Sequence, residues 1–341
     1  MGSPPRVSVL LAVRDGMPFL PAAVDSILGQ SFEDLELVLV DDGSADSGVA
    51  YIAALPDPRV VRLRTDGVGL VGALNLGLGA CRGEFIARMD ADDISRADRI
   101  AAQVAFLDAH AEVGVVCSDI VRIDDEGRSL GGEQFQIASS AALKQALLLR
   151  RRYKPVVHPS VMIRTALLRD IGGYRDYAAA EDIDLWLRLV DRTEFARIDA
   201  PLLTYRLSAR GISRRQRRRQ TVSALLAVLN YEVCSARGVD LFVEHPALLQ
   251  DMARAFEQFA AHVGGGAACF EELKAGLRGR RPGAALRAAW RGAVHFPDRL
   301  FPRQRRRLAR REIDRRVALS CALLDALAAL PAQTARWAGG A

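Results

Sequence analysis

The chain has 341 residues, of which 50% are hydrophobic and 26% are charged, and its formal net charge is +6. This length suits two domains, and the composition excludes a wholly disordered or fibrous protein. No apolar run approaches the ~20 residues that span a bilayer, and the N-terminus lacks the features of a secretory signal. The sequence therefore predicts a cytoplasmic protein.

Strand and helix patterns alternate through the first 120 residues. Apolar runs rich in β-branched residues predict buried strands, and apolar residues three and four apart predict helices. The predicted strands are 7–13, 35–40, 60–64 and 85–89, and the predicted helices are 21–28 and 73–81. This alternation is typical of a mostly parallel sheet flanked by helices, which binds ligands at the carboxyl ends of its strands.

The character of the chain changes near residue 209. Beyond that point strand patterns are sparse, and 24 Lys and Arg residues stand against 11 acidic ones, compared with 23 against 30 before it. We therefore predict an α/β domain over 1–209 and a basic, mainly helical region over 210–341. Between 100 and 209, the predicted elements are helices over 102–110, 141–150 and 182–190, a strand over 113–117 and a hairpin turning at 124–127.

Three carboxylates, Asp90, Asp92 and Asp93, directly follow the fourth predicted strand. Such crowding costs stability unless a cation or hydrogen-bond donors compensate for it. Carboxylates two apart at a strand end can face one side, and Mg²⁺ or Mn²⁺ prefers these hard oxygen ligands. Asp90 and Asp92 are therefore candidate metal ligands. The competing interpretation is a solvated acidic turn in which Asp93 or Ser95 caps the next helix.

A second acidic pair, Asp41 and Asp42, ends the second predicted strand. A carboxylate in this position can accept a hydrogen bond from a nucleobase imide or a ribose hydroxyl, and Gly43 permits a tight turn after it. An ordinary polar turn is the competing interpretation.

A third pair, Glu181 and Asp182, lies at the start of the helix predicted over 182–190. Acidic residues in a first turn are stabilised by the helix dipole, so their presence can be explained by capping alone. In the functional interpretation, one of them is a general base that faces the site, while Leu185 and Leu189 bury the opposite face.

The segment 67–72 matches the G-x-G-x-x-G pattern of dinucleotide-binding loops. It follows the third predicted strand rather than the first, and a dinucleotide site would leave the carboxylates at 90–93 without a role. We therefore interpret this segment as a flexible glycine-rich loop.

Taken in order, these segments resemble the family 2 glycosyltransferases, which are inverting enzymes with the GT-A fold. Each motif is short, but together they cover about 200 residues. The motifs are 7–11, 26–31, 40–44, 82–93, Arg99, 158–160, 172–174, 181–188 and 205–206.

The resemblance implies a nucleotide-sugar donor bound across the first half of the sheet, about residues 1–120. It assigns the base or ribose to Asp42, together with Asp41. It assigns a divalent cation, Mg²⁺ or Mn²⁺, to Asp92 with Asp90, where the cation would bridge the donor diphosphate.

The resemblance also implies an acceptor-binding half over residues 121–209. Asp182 would be the catalytic base, with Glu181 as its neighbour. A carboxylate that takes the proton of an acceptor hydroxyl makes that hydroxyl a better nucleophile, and in-line attack inverts the anomeric carbon without a covalent enzyme intermediate.

Two positions depart from the family pattern. After the first strand, where the family commonly has Tyr and Asn, this chain has Arg14 and Asp15, and Arg14 can instead stack on a base or contact a phosphate. After 205–206, where many members have a histidine that joins the metal, this chain has Ser208. Either the metal has fewer protein ligands in this chain, or His158 or a water molecule takes the position of the histidine. The sequence does not choose among these alternatives.

Two arginine clusters, at 214–219 and 303–311, dominate the basic region. A solvated helical face is one interpretation. The other is peripheral attachment to an anionic membrane surface, which the nearby aromatic residues Trp290, Phe296 and Phe301 would assist. Nucleic acid is not expected as a partner, because no recognition module is visible.

The sequence thus predicts a metal-dependent inverting glycosyltransferase that acts in the cytoplasm or at the inner face of the membrane. It would move a sugar from a nucleotide-diphosphate sugar to a hydroxyl of a glycan or lipid-linked acceptor, in cell-envelope or extracellular polysaccharide synthesis. Two alternatives stay open. One is a nucleotidyltransferase, which also needs a carboxylate pair and a metal, and the other is a catalytically silent scaffold that binds a sugar nucleotide.

Overall fold

The computed structural model describes residues 3–134, 139–149, 156–177, 179–208, 217–247, 249–250 and 252–253. These residues fall into two compact units. The first contains the described residues up to 176 and those from 181 to 208, and the second contains 177, 179–180 and the described residues from 217 onward. The domain boundary predicted near residue 209 lies outside the described residues.

The first unit is an α/β structure. Its strands are β1 (Val7–Val13), β2 (Leu35–Asp42), β3 (Val60–Thr65), β4 (Phe85–Met89), β5 (Ile94–Ser95), β6 (Val113–Ile123), β7 (Ser129–Glu133), β8 (Met162–Arg164) and β9 (Glu194–Arg206). Its helices are α1 (Leu20–Leu28), α2 (Gly48–Ala54), α3 (Gly69–Ala80), α4 (Arg99–Ala109), α5 (Ser140–Leu149), α6 (Thr165–Asp170) and α7 (Glu181–Leu189).

These nine strands of the described part of the chain form one sheet in the order β3-β2-β1-β4-β8-β6-β9-β5, with β7 beside β6. Strands β3, β2, β1 and β4 are parallel. Strand β8 is antiparallel to both β4 and β6, whereas β9 is parallel to β6. The first half of the sheet is therefore the parallel arrangement that the sequence pattern predicts, and the second half is mixed.

Both faces of β1, β2 and β4 are covered, which explains why these strands are apolar over most of their length. Every residue of β1, β2 and β4 is buried. Their odd-numbered apolar residues belong to one core cluster with apolar residues of α1 and α4. On the other face, Leu10 and Val40 lie against Gly77 of α3. Side chains alternate between the two faces of a sheet. A strand that is covered on both faces therefore does not alternate between apolar and polar residues.

The strands β8 and β9 are absent from the sequence-based prediction. Strand β9 contains Pro201, Arg197 and Asp199, which are residues that strands disfavour or that break an apolar pattern. Its pairing with β6 also shifts register on either side of Asp119, so its alternation is interrupted. Tertiary pairing with β6 stabilises this strand, and local sequence does not reveal it.

The carboxyl ends of β1 to β4 meet at one edge of the sheet. The register sets these ends side by side because parallel neighbours stay in step along their length. The residue pairs nearest the edge are Val13 with Asp41, Asp42 with Thr65, and Leu11 with Met89. One acidic segment ends β2 and the other follows β4. These two segments therefore flank the loop that follows β1, the strand between β2 and β4.

The second unit contains helices α8 (Arg217–Arg237) and α9 (Leu241–Glu244). The side chain of Asp240 caps α9 by accepting from the Phe242 amide at 3.1 Å, and it also accepts from Asn230 of α8. No described helix combines the length and apolar character that crossing a bilayer requires. The arginine cluster at 303–311 and its neighbouring aromatic residues lie outside the described residues.

Candidate functional site

The turn after β4, hereafter the acidic turn, brings three carboxylates together. One oxygen from each of Asp90, Asp92 and Asp93 lies within 4.8 Å of the others. Asp93 is fully buried, and its Oδ1 accepts a hydrogen bond from the Arg206 amide at 2.8 Å. Its Oδ2 is buried without a hydrogen-bond partner. A buried carboxylate oxygen with no donor is costly, so its environment favours a cation.

Burial and mutual repulsion disfavour negative charge in the acidic turn. Burial, followed by the neighbouring Asp90, raises the pKa of Asp92 to about 6. Burial, followed by Asp90 and Asp92, raises the pKa of Asp93 well above its ordinary value. A divalent cation would relieve both effects, and carboxylate oxygens are the ligands that Mg²⁺ and Mn²⁺ prefer. The residues therefore fit such a cation, and Asp93 belongs with Asp90 and Asp92 in the cluster.

The interpretation of this segment as a helix cap is wrong. Helix α4 begins at Arg99 after Asp98, whereas Asp93 binds the end of β9 and Ser95 belongs to β5. The sequence argument favoured Asp90 and Asp92 because residues two apart share a face of an extended chain. The chain turns here instead, so Asp93 approaches the same point.

Two buried arginines support the acidic turn and were not singled out for this role from the sequence. Arg88, in β4, donates from Nη2 to Asp90 Oδ1 at 2.5 Å. Arg99, in α4, donates to the Arg88 carbonyl at 2.8 Å, and burial lowers its pKa to about 10. Both side chains are almost completely buried. The available signal was an arginine inside an otherwise apolar strand, since a buried charge requires a partner.

The end of β2 carries the second acidic pair in a rigid setting. Asp42 Oδ1 accepts from the Thr65 hydroxyl at 2.6 Å, and its Oδ2 accepts from the Gly69 amide at 3.0 Å. Asp41 accepts from the Ser44 amide at 2.9 Å and pairs with Arg64. Both aspartates are buried. These donors hold each carboxylate in one orientation at the edge of the sheet.

The glycine-rich segment supports this end of the sheet. Gly43 and Gly67 both adopt positive φ, and a Cβ atom at Gly43 would lie 2.9 Å from the Gly67 nitrogen. A Cβ atom at Gly67 would lie 3.1 Å from Nη1 of Arg14. The loops after β1, β2 and β3 therefore meet here, and close approach explains the glycines. Gly69 begins α3 and donates to Asp42, so the segment contributes to the edge with the acidic pair.

The third acidic pair begins α7, as predicted. Burial, followed by the neighbouring Asp182, raises the pKa of Glu181 to about 7. Glu181 Oε1 lies 4.0 Å from His158 Nδ1, and His158 Nε2 is hydrogen-bonded to the Tyr174 hydroxyl at 3.0 Å. Asp182 is buried, and its Oδ1 accepts from the amide of Ile183 at 2.8 Å.

The acidic turn and the start of α7 lie close together. Asp90 and Glu181 both act electrostatically on the buried Arg88 guanidinium, and Asp90 and Arg88 in turn influence the pKa of Glu181. Strands β2 and β4 lie on either side of β1, about 10 Å apart. The structure therefore gathers Asp41, Asp42, Asp90, Asp92, Glu181 and Asp182 at one end of the sheet, with Arg14 in the adjoining loop.

The two departures from the family pattern are also located. Arg14 is exposed beside Gly67. Ser208 follows the end of β9, whose last amide binds Asp93. His158 bonds to Tyr174 and faces Glu181, and within the described ranges it is not part of the carboxylate cluster.

Known proteins resemble this chain in both sequence and fold. The family described as "Glycosyl transferase family 2" matches residues 8–172. "Putative glycosyltransferase EpsE" of Bacillus subtilis is 32% identical over 199 residues, which cover 56% of this chain and 69% of EpsE. "Succinoglycan biosynthesis protein ExoO" of Rhizobium meliloti is 40% identical over 146 residues, 42% of this chain and 41% of ExoO. The crystal structure of S. aureus TarS 1-349 in complex with UDP-GlcNAc superposes with a TM-score of 0.57 at 17% identity, covering 83% of this chain and 81% of the TarS 1-349 chain.

Proposed function

This chain belongs to the family 2 glycosyltransferases and has their GT-A fold, and on that premise we propose a specific reaction for it. It transfers a sugar from a nucleotide-diphosphate sugar to a hydroxyl of a glycan or lipid-linked acceptor, with inversion at the anomeric carbon. The name of ExoO favours a role in polysaccharide synthesis, and the UDP-GlcNAc complex of TarS favours a nucleotide-sugar donor. Membership of this family favours sugar transfer over the nucleotidyltransferase alternative.

One observation carries the proposal. Three acidic groups that are distant along the chain lie at one end of the sheet, and Arg88 interacts electrostatically with two of them. Buried carboxylates gathered at one place are unfavourable without a charged ligand or a proton to share. Ligands of open α/β sheets also bind outside the carboxyl ends of the strands. The arrangement therefore supports a site for an elongated ligand that carries a diphosphate.

The donor's nucleoside would occupy the edge near β2. Asp42 is oriented by the Thr65 hydroxyl and the Gly69 amide, and each of its oxygens keeps a second lone pair for a base imide or a ribose hydroxyl. Asp41, which pairs with Arg64, would assist Asp42 in binding the nucleoside. Arg14 is exposed in the adjoining loop and would stack on the base or contact a phosphate.

The acidic turn would hold a divalent cation, Mg²⁺ or Mn²⁺. Asp90 and Asp92 are its proposed ligands, and the unpartnered oxygen of Asp93 makes that residue a third. When bound, such a cation neutralises negative charge on the diphosphate oxygens of a leaving group. Arg88 fixes one oxygen of Asp90 at 2.5 Å, which orients that carboxylate.

Asp182 would act as the general base. Its carboxylate takes the proton of the acceptor hydroxyl, while the hydroxyl oxygen forms a bond to the anomeric carbon. The bond from that carbon to the diphosphate breaks, and its electron pair leaves with the nucleoside diphosphate. The Ile183 amide orients Asp182, and Glu181, facing His158 and Arg88, would set the charge of the pair.

A product assay tests this function. The purified full chain would be incubated with a panel of nucleotide sugars, Mn²⁺ and polysaccharide-derived acceptors. Release of nucleoside diphosphate with a glycosylated acceptor supports the proposal, whereas pyrophosphate release would indicate nucleotidyl transfer. Donor binding without turnover across the panel would favour a silent scaffold. The variant Asp92→Asn is the control, because it should lose metal-dependent donor binding.

The cellular setting is a further proposal. A lipid-linked or envelope acceptor would place the enzyme at the inner face of the membrane, where the basic C-terminal region would contact anionic lipid. Nucleic acid has no part in this proposal.

A further inference from the structure

Arg206, the last residue of β9, contacts three separate segments around the acidic turn. Its Nε donates to the Asp92 carbonyl at 2.9 Å, and its Nη1 donates to the Asp124 carbonyl at 2.8 Å. Its guanidinium lies over the ring of Phe19, 4.2 Å from the centroid. The side chain is buried, with 8% of the residue exposed. It therefore joins the start of α1, the acidic turn and the β6–β7 turn.

The donors of this guanidinium go to backbone carbonyls rather than to the carboxylates. Arg88, by contrast, occupies an oxygen of Asp90 directly. The Arg206 main chain adds a further restraint, because its amide holds Asp93 Oδ1. The contacts of Arg206 thus fix the backbone of the acidic turn, in which one oxygen from each carboxylate lies within 4.8 Å of the others.

We infer that Arg206 is a positioning residue for the divalent cation of the acidic turn. This inference depends on the proposed function, because it concerns the same cation site. A buried side chain that fixes the backbone of a ligand-bearing turn sets the distances among its ligands. Partners that orient metal ligands in this way typically change metal affinity 10- to 100-fold when they are removed.

A purely electrostatic role makes the opposite prediction. Arg206 lowers the pKa of Asp92 by its positive charge, and a positive charge also repels a metal cation. At pH 8, where Asp92 is ionised in either case, the neutral variant Arg206→Gln would bind the cation more tightly if Arg206 were only a charge. If Arg206 positions the turn, the same variant binds it more weakly. The charge-retaining variant Arg206→Lys, which lacks the planar fork, also binds it more weakly in that case.

The test measures binding of Mn²⁺ alone to the full chain by electron paramagnetic resonance, which reports the free aqueous ion. We expect Arg206→Gln and Arg206→Lys each to weaken binding by about tenfold or more. Phe19→Leu, which removes only the ring beneath the guanidinium, should weaken it about threefold. The matched control is Arg197→Lys in the same strand, which loses a paired guanidinium bound to Asp119, roughly 30 Å along the strand.

Unchanged or tighter Mn²⁺ binding in Arg206→Gln would overturn the inference, as would a loss of equal size in Arg197→Lys. Circular dichroism shows whether each variant folds. If Arg206→Gln does not fold, Mn²⁺ binding by Phe19→Leu and Arg206→Lys tests the inference. A wild-type chain that binds no Mn²⁺ would eliminate both the cation site and this inference. The transfer reaction itself is judged separately by its product assay, so the two failures are distinguishable.

Discussion

The electrostatic behaviour of the site depends on how far each carboxyl group is withdrawn from water. Glu181, Asp92 and Asp93 have raised pKa values, and burial is the first cause in each case. Arg88 and Arg206 oppose this effect with their positive charge. Carboxyl groups with raised pKa values that lie close together are typical of sites that handle protons.

We expect Asp182→Asn to lower the turnover number by ~10²–10⁴-fold, because an amide cannot accept the acceptor's proton. The Michaelis constant for the donor should stay within about threefold of wild type, since the donor would bind to other residues. Steady-state kinetics with a varied donor measures both quantities. The control is Asp191→Asn, which alters a solvent-accessible ion pair with Lys144. Near-normal turnover in Asp182→Asn would remove this residue from the mechanism.

Glu181 should make stability depend on pH. Its pKa is about 7 in the folded chain and near its ordinary value of 4.5 when unfolded, so the folded state binds the proton more tightly. Its contribution is therefore complete below pH ~4.5 and is lost as the pH rises through ~7. Glu181→Gln should be more stable than wild type at pH 8, by an amount on the order of 1–3 kcal/mol, and this advantage should shrink at pH 5.

Thermal denaturation of the metal-free full chain at several pH values measures this effect. Glu126→Gln, in the exposed turn between β6 and β7, serves as the control. A stability difference between Glu181→Gln and wild type that is the same at pH 5 and pH 8 would contradict the assignment.

Among the secondary-structure elements, α3 shows how packing determines which residues a helix accepts. The helix contains several glycines, each of which costs ~1 kcal/mol relative to alanine in a helix interior. Gly77 faces the sheet, where a Cβ atom would lie 2.3 Å from Leu10 Cδ1 and 2.9 Å from Val40 Cγ2. Gly79 has no atom within 4 Å of that position. Close approach of α3 to β1 and β2 explains the first glycine and not the second.

The two glycines therefore form a matched pair. Gly77→Ala should lower the free energy of unfolding by ~1–3 kcal/mol, because overpacking displaces Leu10 and Val40. Gly79→Ala should raise it by ~0.5–1 kcal/mol, because alanine favours the helix and meets no neighbour. Urea denaturation of each variant checks both values. Equal effects of the two substitutions would contradict the packing explanation.

Over the whole molecule, charge is distributed unequally along the chain. Residues 1–209 carry more acidic than basic side chains, and 24 of the 47 lysines and arginines lie beyond residue 209. The acidic part contains the proposed cation site, and the basic part contains the arginine cluster at 303–311. Clusters of this kind bind anionic lipid with ~1 kcal/mol for each charge near the surface.

We expect the full chain to float with vesicles that contain phosphatidylglycerol and to be released at about 0.5 M salt, since salt screens such attraction. Vesicles of phosphatidylcholine alone are the control. Replacing Arg305, Arg306 and Arg307 by glutamine should reduce flotation severalfold. Flotation of this triple variant at the wild-type level would make the cluster an ordinary solvated surface.

The sequence alone determined the parallel half of the sheet and the places of its acidic groups. Strands β1, β2 and β4 are mostly apolar, and polar residues end or follow them, so their pattern is local and needs no knowledge of distant contacts. The acidic groups at 41–42 and 90–92 were found in this way, the pair at 181–182 was found at the start of a predicted helix, and Arg14 was singled out by the family resemblance. The family resemblance, which is based on the same local motifs, was confirmed.

Only the tertiary structure decided what surrounds those groups. Asp93 joins the cluster because the chain turns after β4, and Arg206 reaches it because β9 pairs with β6. Arg88 interacts electrostatically with both Asp90 and Glu181, which are distant in sequence. Hydrogen bonds and burial between segments far apart in the chain depend on the folded arrangement, and side-chain pattern along one segment does not encode them.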